Sequence, residues 1–454
     1  MNTGQSDPAF VLFEGATRAL EGAGMAIGAN AGNTRSVADA RRRRMSLGPG
    51  GDTAAYLSLV RGADGLLDWR CDGGPALRPQ RPGERRAQRR GPAGLFDDVT
   101  VNQTLFRPVE GSRVSSFLAG LDHGFNPRHG LFDLDGQAAT HIVPKGRVLL
   151  VVHGTFSKCA AIVEQLEATA DGSGQALLTQ AKAKYQQVLL YEHPTLQVAP
   201  WLNALDLARA FAGSQAQVDV VCHSRGGLVT RWWLEVFQRE LLQHARVVFV
   251  AAPLMGTGLA SPYRLRSALK LMTNYATALS NVASLAAVAL PVFTVMQGLA
   301  TLVGSATGLL SRAPLADAAV ALVPGLAAMS RYGPDAGTFI QGNVELEKLS
   351  FGWQTPPPGY FVVTSNFETQ SVGWQFWKAF RDPVLRLADA GTDTLFSGHN
   401  DLVVDTASMG SIGVDAAISD AGHRHDFGTN PTVHHMNYFS QPATVAFIRQ
   451  ALAL

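Results

Sequence analysis

Cysteine is scarce: Cys71, Cys159 and Cys222 stand far apart and are odd in number, so they supply neither a disulfide framework nor a four-cysteine metal site. A reducing compartment is the expectation. A surplus of charge is missing as well. With 38 basic and 36 acidic residues the formal charge is +2, so no whole-chain field gathers polyanions, and nucleic acid is not an expected partner. Gly (46) and Pro (23) stay near ordinary usage, which excludes collagen-like or low-complexity architecture. No basic start followed by a continuous apolar run occurs before Asn30, because Gly, Asp, Glu and Arg interrupt each hydrophobic stretch. This reads as a cytoplasmic chain without a signal peptide, with membrane association as a further expectation. Lysine is absent from residues 1–94, although arginines cluster at 41–44 and 78–90. That region reads as an Arg-rich, partly mobile extension, solvated or in contact with an anionic partner. The longest absence is of charge altogether: the 41 residues from Leu271 to Ser311 contain no Asp, Glu, Lys or Arg.

From about residue 95 short apolar runs alternate with longer amphipathic segments, the pattern of a mostly parallel sheet with crossover helices. Val148–Val152, Val188–Tyr191, Val218–Cys222 and Val247–Ala251 read as buried central strands, with a fifth at Tyr360–Thr364. Crossover helices are expected over Ala204–Phe211 and Gly226–Leu242, and a final helix over Pro442–Leu452. The fold class is therefore α/β, over residues 95–454. The uncharged tract is long enough for a membrane span, yet Pro291 and the polar Asn274, Asn281, Gln297 and Ser305 favour shorter helices. Its place after the fourth strand suggests an inserted helical lid over about 259–335.

The strongest local signal is Val218-Asp-Val-Val-Cys-His-Ser-Arg-Gly-Gly-Leu, a buried strand running through a tight turn into a helix with Ser224 at the turn. A serine hydroxyl attacks only when a base takes its proton, and a strand-to-helix elbow holds it exposed above the sheet. Small residues are needed on either side because strand and helix pack closely there. Gly226 and Gly227 meet that need on one side and Cys222 on the other.

This segment resembles the elbow of the α/β-hydrolase superfamily, G-x-S-x-G, with Cys222 in place of the first Gly. His153-Gly154-Thr155, at the end of the first strand, resembles the oxyanion loop of lipases and esterases. By that resemblance the donors to a developing oxyanion are the amides of Thr155 and Arg225, and His153 is a buried residue fixing the loop. The family order Ser, Asp, His implies an acid and a base downstream. Gly398-His-Asn-Asp-Leu-Val-Val-Asp405 resembles the lipase acid segment and assigns Asp401, with Asp405 and Asp393 as weaker candidates. His435-Met-Asn-Tyr-Phe439 resembles the H-x-x-Y-F ending of bacterial relatives and assigns His435, with His434 the runner-up. Tyr191-Glu-His-Pro-Thr195 and Ala251-Ala-Pro-Leu-Met-Gly-Thr257 also resemble segments of lipase-like, GPI inositol-deacylase-like and caspase-domain-associated bacterial hydrolases. In the latter, Leu254 stands where the lipase pattern has His.

The resemblance implies helices on both faces of the sheet and a cofactor-free serine esterase that forms an acyl-enzyme. An apolar lid would favour a hydrophobic or lipid-like ester and peripheral membrane contact. Two other readings carry different expectations. One is a catalytically silent, membrane-attached binding module. The other is a metal site of His423, His425, Asp426, His434 and His435, whose spacing lacks the helical pattern of zinc hydrolases, so that no metal is expected.

Overall fold

The computed structural model describes residues 7–25, 27–28, 55–72, 99–106, 109, 111–260, 265–283, 285–309, 323–331, 343–371, 374, 376, 396 and 398–454. The arginine clusters at 41–44 and 78–90, and Asp393, lie outside them. In chain order the main elements are α1 (Pro8–Gly22), β1 (Ile27–Gly28), β2 (Ala55–Arg61), β3 (Leu67–Asp72), β4 (Val99–Phe106), α2 (Val114–Phe125), β5 (Gly130–Asp133) and β6 (Arg147–Val152). They continue with α3 (Cys159–Glu167), α4 (Ser173–Lys184), β7 (Gln187–Glu192), α5 (Pro200–Ala210), β8 (Gln217–His223), α6 (Gly226–Arg231) and β9 (Arg246–Val250). The last are α7 (Leu265–Ser280), α8 (Ala286–Leu309), α9 (Val344–Ser350), β10 (Tyr360–Phe367), β11 (Arg424–Asn430) and α10 (Pro442–Leu452).

These elements form two compact units, one from residues 1–121 with 266–319 and the other from 122–265 with 320–454. This replaces the boundaries expected near residue 94 and over about 259–335. The reason lies in the uncharged tract, whose apolar and polar residues both find partners in the N-terminal region. Pro8 and the Asp7 cap start α1, which buries Ala9, Leu12, Phe13, Ala16 and Leu20 at helical spacing. In α8, Gln297 donates to Thr17 Oγ1 at 2.7 Å, and Ser305 accepts from the Val109 amide at 2.8 Å. In α7, Asn274 bonds both main-chain groups of Leu67, and Thr273 accepts from the Trp69 indole at 2.6 Å. Trp69 stacks on Phe13 and tilts against Phe293. The helical stretch Ala286–Ser305 is long and apolar enough by composition to cross a membrane, but 61% of it is buried inside the protein. The small antiparallel sheet of this unit has the order β1-β4-β2-β3.

The second unit holds a seven-stranded sheet of order β11-β10-β9-β8-β6-β7-β5, parallel except for the edge strand β5. Alternate residues of the strands serve opposite faces. Val148, Leu150, Val220 and Phe249 pack with Leu207 of α5, with Phe211 at its C-cap and with Val229 of α6. Leu149, Val151, Val221 and Val248 pack on the other face with Ile162 of α3, Leu177 of α4 and Ile448 of α10. Helices thus cover both faces of an α/β sheet. From β6 the chain passes to β7 on one side, whereas β8 lies on the other. That reversal of strand order makes β6 and β8 the switch point of the sheet, and it is outside the carboxyl ends of such strands that open α/β sheets place ligands.

Candidate active site

Ser224 follows β8 with φ of +52°, a left-handed conformation that costs energy for a residue bearing a Cβ. The strain is held from both sides, since the Ser224 amide donates to Val250 O at 3.0 Å and its carbonyl accepts from Gly227 N at 2.9 Å. Close approach explains the glycines. A Cβ on Gly226 would lie 2.6 Å from Val152 O, one on Gly227 would lie 2.6 Å from Ala252 Cβ, and one on Gly154 would lie 2.6 Å from Ser224 Cβ. Cys222 fits because its side chain stays in the sheet core, with Sγ 3.6 Å from Val248 O. Burial pushes that thiol well up, so it remains neutral.

The segments after Ser224 bring two more groups to it. His435 Nε2 lies 3.0 Å from Ser224 Oγ, and its Nδ1 lies 2.8 Å from Asp401 Oδ2. Asp401 Oδ1 accepts the Val403 and Val404 amides at 3.1 and 2.8 Å, while the Tyr438 hydroxyl donates to Oδ2 at 3.1 Å. The loops are also joined directly, because the His435 amide donates to the Asp401 carbonyl at 3.0 Å. His434 turns elsewhere, its ring against Phe367 and Trp374. Asp405 stands at the N-cap position of the helical turn Thr406–Met409. On the preceding residue, His223 Nε2 lies 3.0 Å from the His435 carbonyl, and burial holds this imidazole well below its ordinary value.

Each of the two expected amide donors is oriented through the carbonyl of its own peptide group, which is itself hydrogen-bonded. A trans peptide points its N–H opposite to its C=O. The Gly154 carbonyl, part of the same peptide group as the Thr155 amide, lies 2.8 Å from His153 Nδ1. The Ser224 carbonyl, paired to Gly227, orients the Arg225 amide in the same manner. Among the described residues neither the Thr155 nor the Arg225 amide has a hydrogen-bond acceptor. His153 is fully buried and accepts the His193 amide on Nε2 at 3.2 Å. Burial lowers its pKa, with the Glu192 carboxylate 3.3 Å from Nε2 opposing the shift. Sequence reasoning placed His153 in the loop but missed Glu192, and it included Tyr438 in the base segment without giving it a role. The Tyr191–Thr195 segment carried the only signal for Glu192.

The residues considered for a metal are spread apart. His423 bonds the Tyr360 carbonyl, His425 lies on β11 against Phe427, and Asp426 pairs with Arg424. Among the described residues no group of three His, Cys, Asp or Glu is placed to hold a metal ion.

The chain belongs to the family described as Domain of unknown function (DUF7379), whose model matches residues 122–453. No curated protein matches it. Among solved structures it is similar to phospholipase PlaB from Legionella pneumophila, at 14% identity and TM-score 0.32, over 58% of this chain and 45% of that one. It is also similar to lipase 1 from Pelosinus fermentans, at 12% identity and TM-score 0.37, over 68% of this chain and 97% of that one. The chain thus spans less than half the length of the phospholipase.

Proposed function

We propose that the protein is a serine hydrolase that cleaves carboxylic esters through an acyl-enzyme. The observation that carries this reading is the line of bonds from Ser224 Oγ to His435 (3.0 Å) and on to Asp401 (2.8 Å). His435 takes the Ser224 proton as the oxygen attacks the ester carbonyl. Asp401 holds the ring with Nδ1 protonated, which leaves Nε2 as the base. The oxyanion settles against the Thr155 and Arg225 amides. His435 then returns its proton to the departing alkoxide. In the second half it draws a proton from water, whose oxygen attacks the acyl carbon; as the bond to Ser224 breaks, His435 hands that proton to Oγ, and the acid and the free serine are released. Labelling with a fluorophosphonate tests the nucleophile: the wild type labels, while Ser224→Ala neither labels nor turns over, a loss of about 10⁶-fold. Full activity in a folded Ser224→Ala protein defeats the reading.

The acyl group is proposed to be hydrophobic or lipid-like. Support comes from apolar side chains around the site: Met329 beside Thr155, and Phe367 with Trp374 beside the base loop. The uncharged tract no longer contributes, because its apolar residues are used within the other unit. A series of p-nitrophenyl esters should give a rising kcat/KM with chain length, whereas an optimum at acetate would remove this part of the proposal.

A further inference from the structure

Arg225 brings more than its amide. Its guanidinium is fully buried; Nη2 donates to the Val198 carbonyl, while Nε and Nη1 find no partner among the described residues. Burying a cation with unmet donors is costly, and a hydrocarbon side chain of similar size would occupy the place with less penalty. Burial pulls its pKa down to about 10, with Asp122, Tyr191 and Glu345 opposing. Stability therefore does not account for the guanidinium, but its position does. Val198 ends the loop 193–198, and the Asp122 carboxylate gathers the amides of Thr195, Leu196 and Gln197 in the middle of it. At the start of the loop the His193 amide donates to His153, whose other ring nitrogen binds the Gly154 carbonyl. A chain of bonds thus leaves the elbow through one side chain and returns to the peptide group carrying the Thr155 amide.

We propose that the Arg225 side chain is a positioning residue for the oxyanion site: it ties the nucleophile elbow to the 193–198 loop and, through His193 and His153, holds the Gly154–Thr155 peptide in its working orientation. This rests on the reading of Ser224 as nucleophile. The test compares wild type, Ser224→Ala, Arg225→Met and Arg225→Lys by fluorophosphonate labelling, p-nitrophenyl ester kinetics and thermal unfolding. Arg225→Met should unfold at or above the wild-type temperature, still label at Ser224, and lose about 10- to 100-fold in kcat. Its KM should move by less than about threefold. Arg225→Lys keeps the charge and a donor, and recovers part of the loss. A purely structural role would lower the unfolding temperature and spare kcat per folded molecule; that result, or wild-type kcat in Arg225→Met, overturns the proposal. If Arg225→Met does not fold, hydrogen exchange in Arg225→Lys decides. Faster exchange at the Thr155 and 195–198 amides supports the tie, and unchanged rates overturn it. A wild type that does not label overturns the nucleophile and the tie together, whereas normal labelling with an indifferent Arg225→Met defeats the tie alone.

Discussion

Asp401 is the residue on which the site's geometry converges, with one oxygen held by two main-chain amides and the other shared by His435 and Tyr438. An amide at this place would favour the wrong imidazole tautomer, so Asp401→Asn should lower kcat by about 10⁴-fold in steady-state ester hydrolysis. Tyr438→Phe removes one donor and leaves the rest, and about a tenfold loss in the same assay is expected. Ser224 and His435, which the structure brings within 3.0 Å of each other, each lie in a short local pattern that the sequence displays. The parts played by Tyr438 and Asp122 were not legible, since a tyrosine or an aspartate acquires its meaning here only from partners distant in the chain. Four buried imidazoles, His153, His193, His223 and His434, are held below their ordinary pKa by burial, His434 to about 3. Below about pH 6.5 the unfolded chain protonates these rings more readily than the folded chain, so unfolding takes up protons and stability falls as pH drops from 7 to 5. Each such proton adds ~1.4 kcal/mol per pH unit to the slope. Urea unfolding of His434→Phe at pH 5, 6 and 7 should show a slope shallower by about that amount. An unaltered slope would mean that His434 titrates alike in both states.

At the scale of elements, the helix expected over Gly226–Leu242 is instead α6, a π-helical turn at Trp232–Phe237 and a short helix at Arg239–Leu242. Period alone could not show the break, which is set by tertiary partners. Trp233 is wholly buried and donates to Gln238, and Arg231 reaches the carbonyls of Leu254, Leu349 and Ile412 besides its pair with Glu235. Arg231→Met leaves Glu235 and three carbonyls without this partner. A loss of roughly 3–5 kcal/mol is expected in chemical denaturation. Gly226→Ala sets a Cβ against main-chain oxygens that have no room to move, and roughly 1–3 kcal/mol should be lost together with the serine's labelling rate. The five central strands were legible as buried apolar runs. The edge strands β5 and β11 were not, because strands paired on one side and partly exposed, such as Arg-His-Asp-Phe-Gly-Thr-Asn in β11, carry no such run.

For the whole molecule, the α/β sheet was legible from the order of its strands and helices, while the partition of the chain was not. Pro291, Gln297 and Ser305 were expected to break the uncharged tract into shorter helices, yet α8 runs 24 residues through all three, and the partners of Asn274, Gln297 and Ser305, namely Leu67, Thr17 and Val109, lie in a region whose composition suggested an extension. Short strands such as β2 and β3 acquire a buried face only when α7 and α8 are present, so neither sequence piece declares the unit by itself. The same mutual dependence governs how the protein can be shortened. Trimming an apparent leader up to residue 121 would undress α8, presenting Phe293, Val295, Met296 and Leu299 to solvent as an adhesive rod on a chain whose α/β unit is otherwise whole. Such a fragment should pellet or demand detergent. A version that also excises 266–319 and rejoins the chain with a flexible bridge should stay in the supernatant, and sedimentation of the two side by side would reveal the difference.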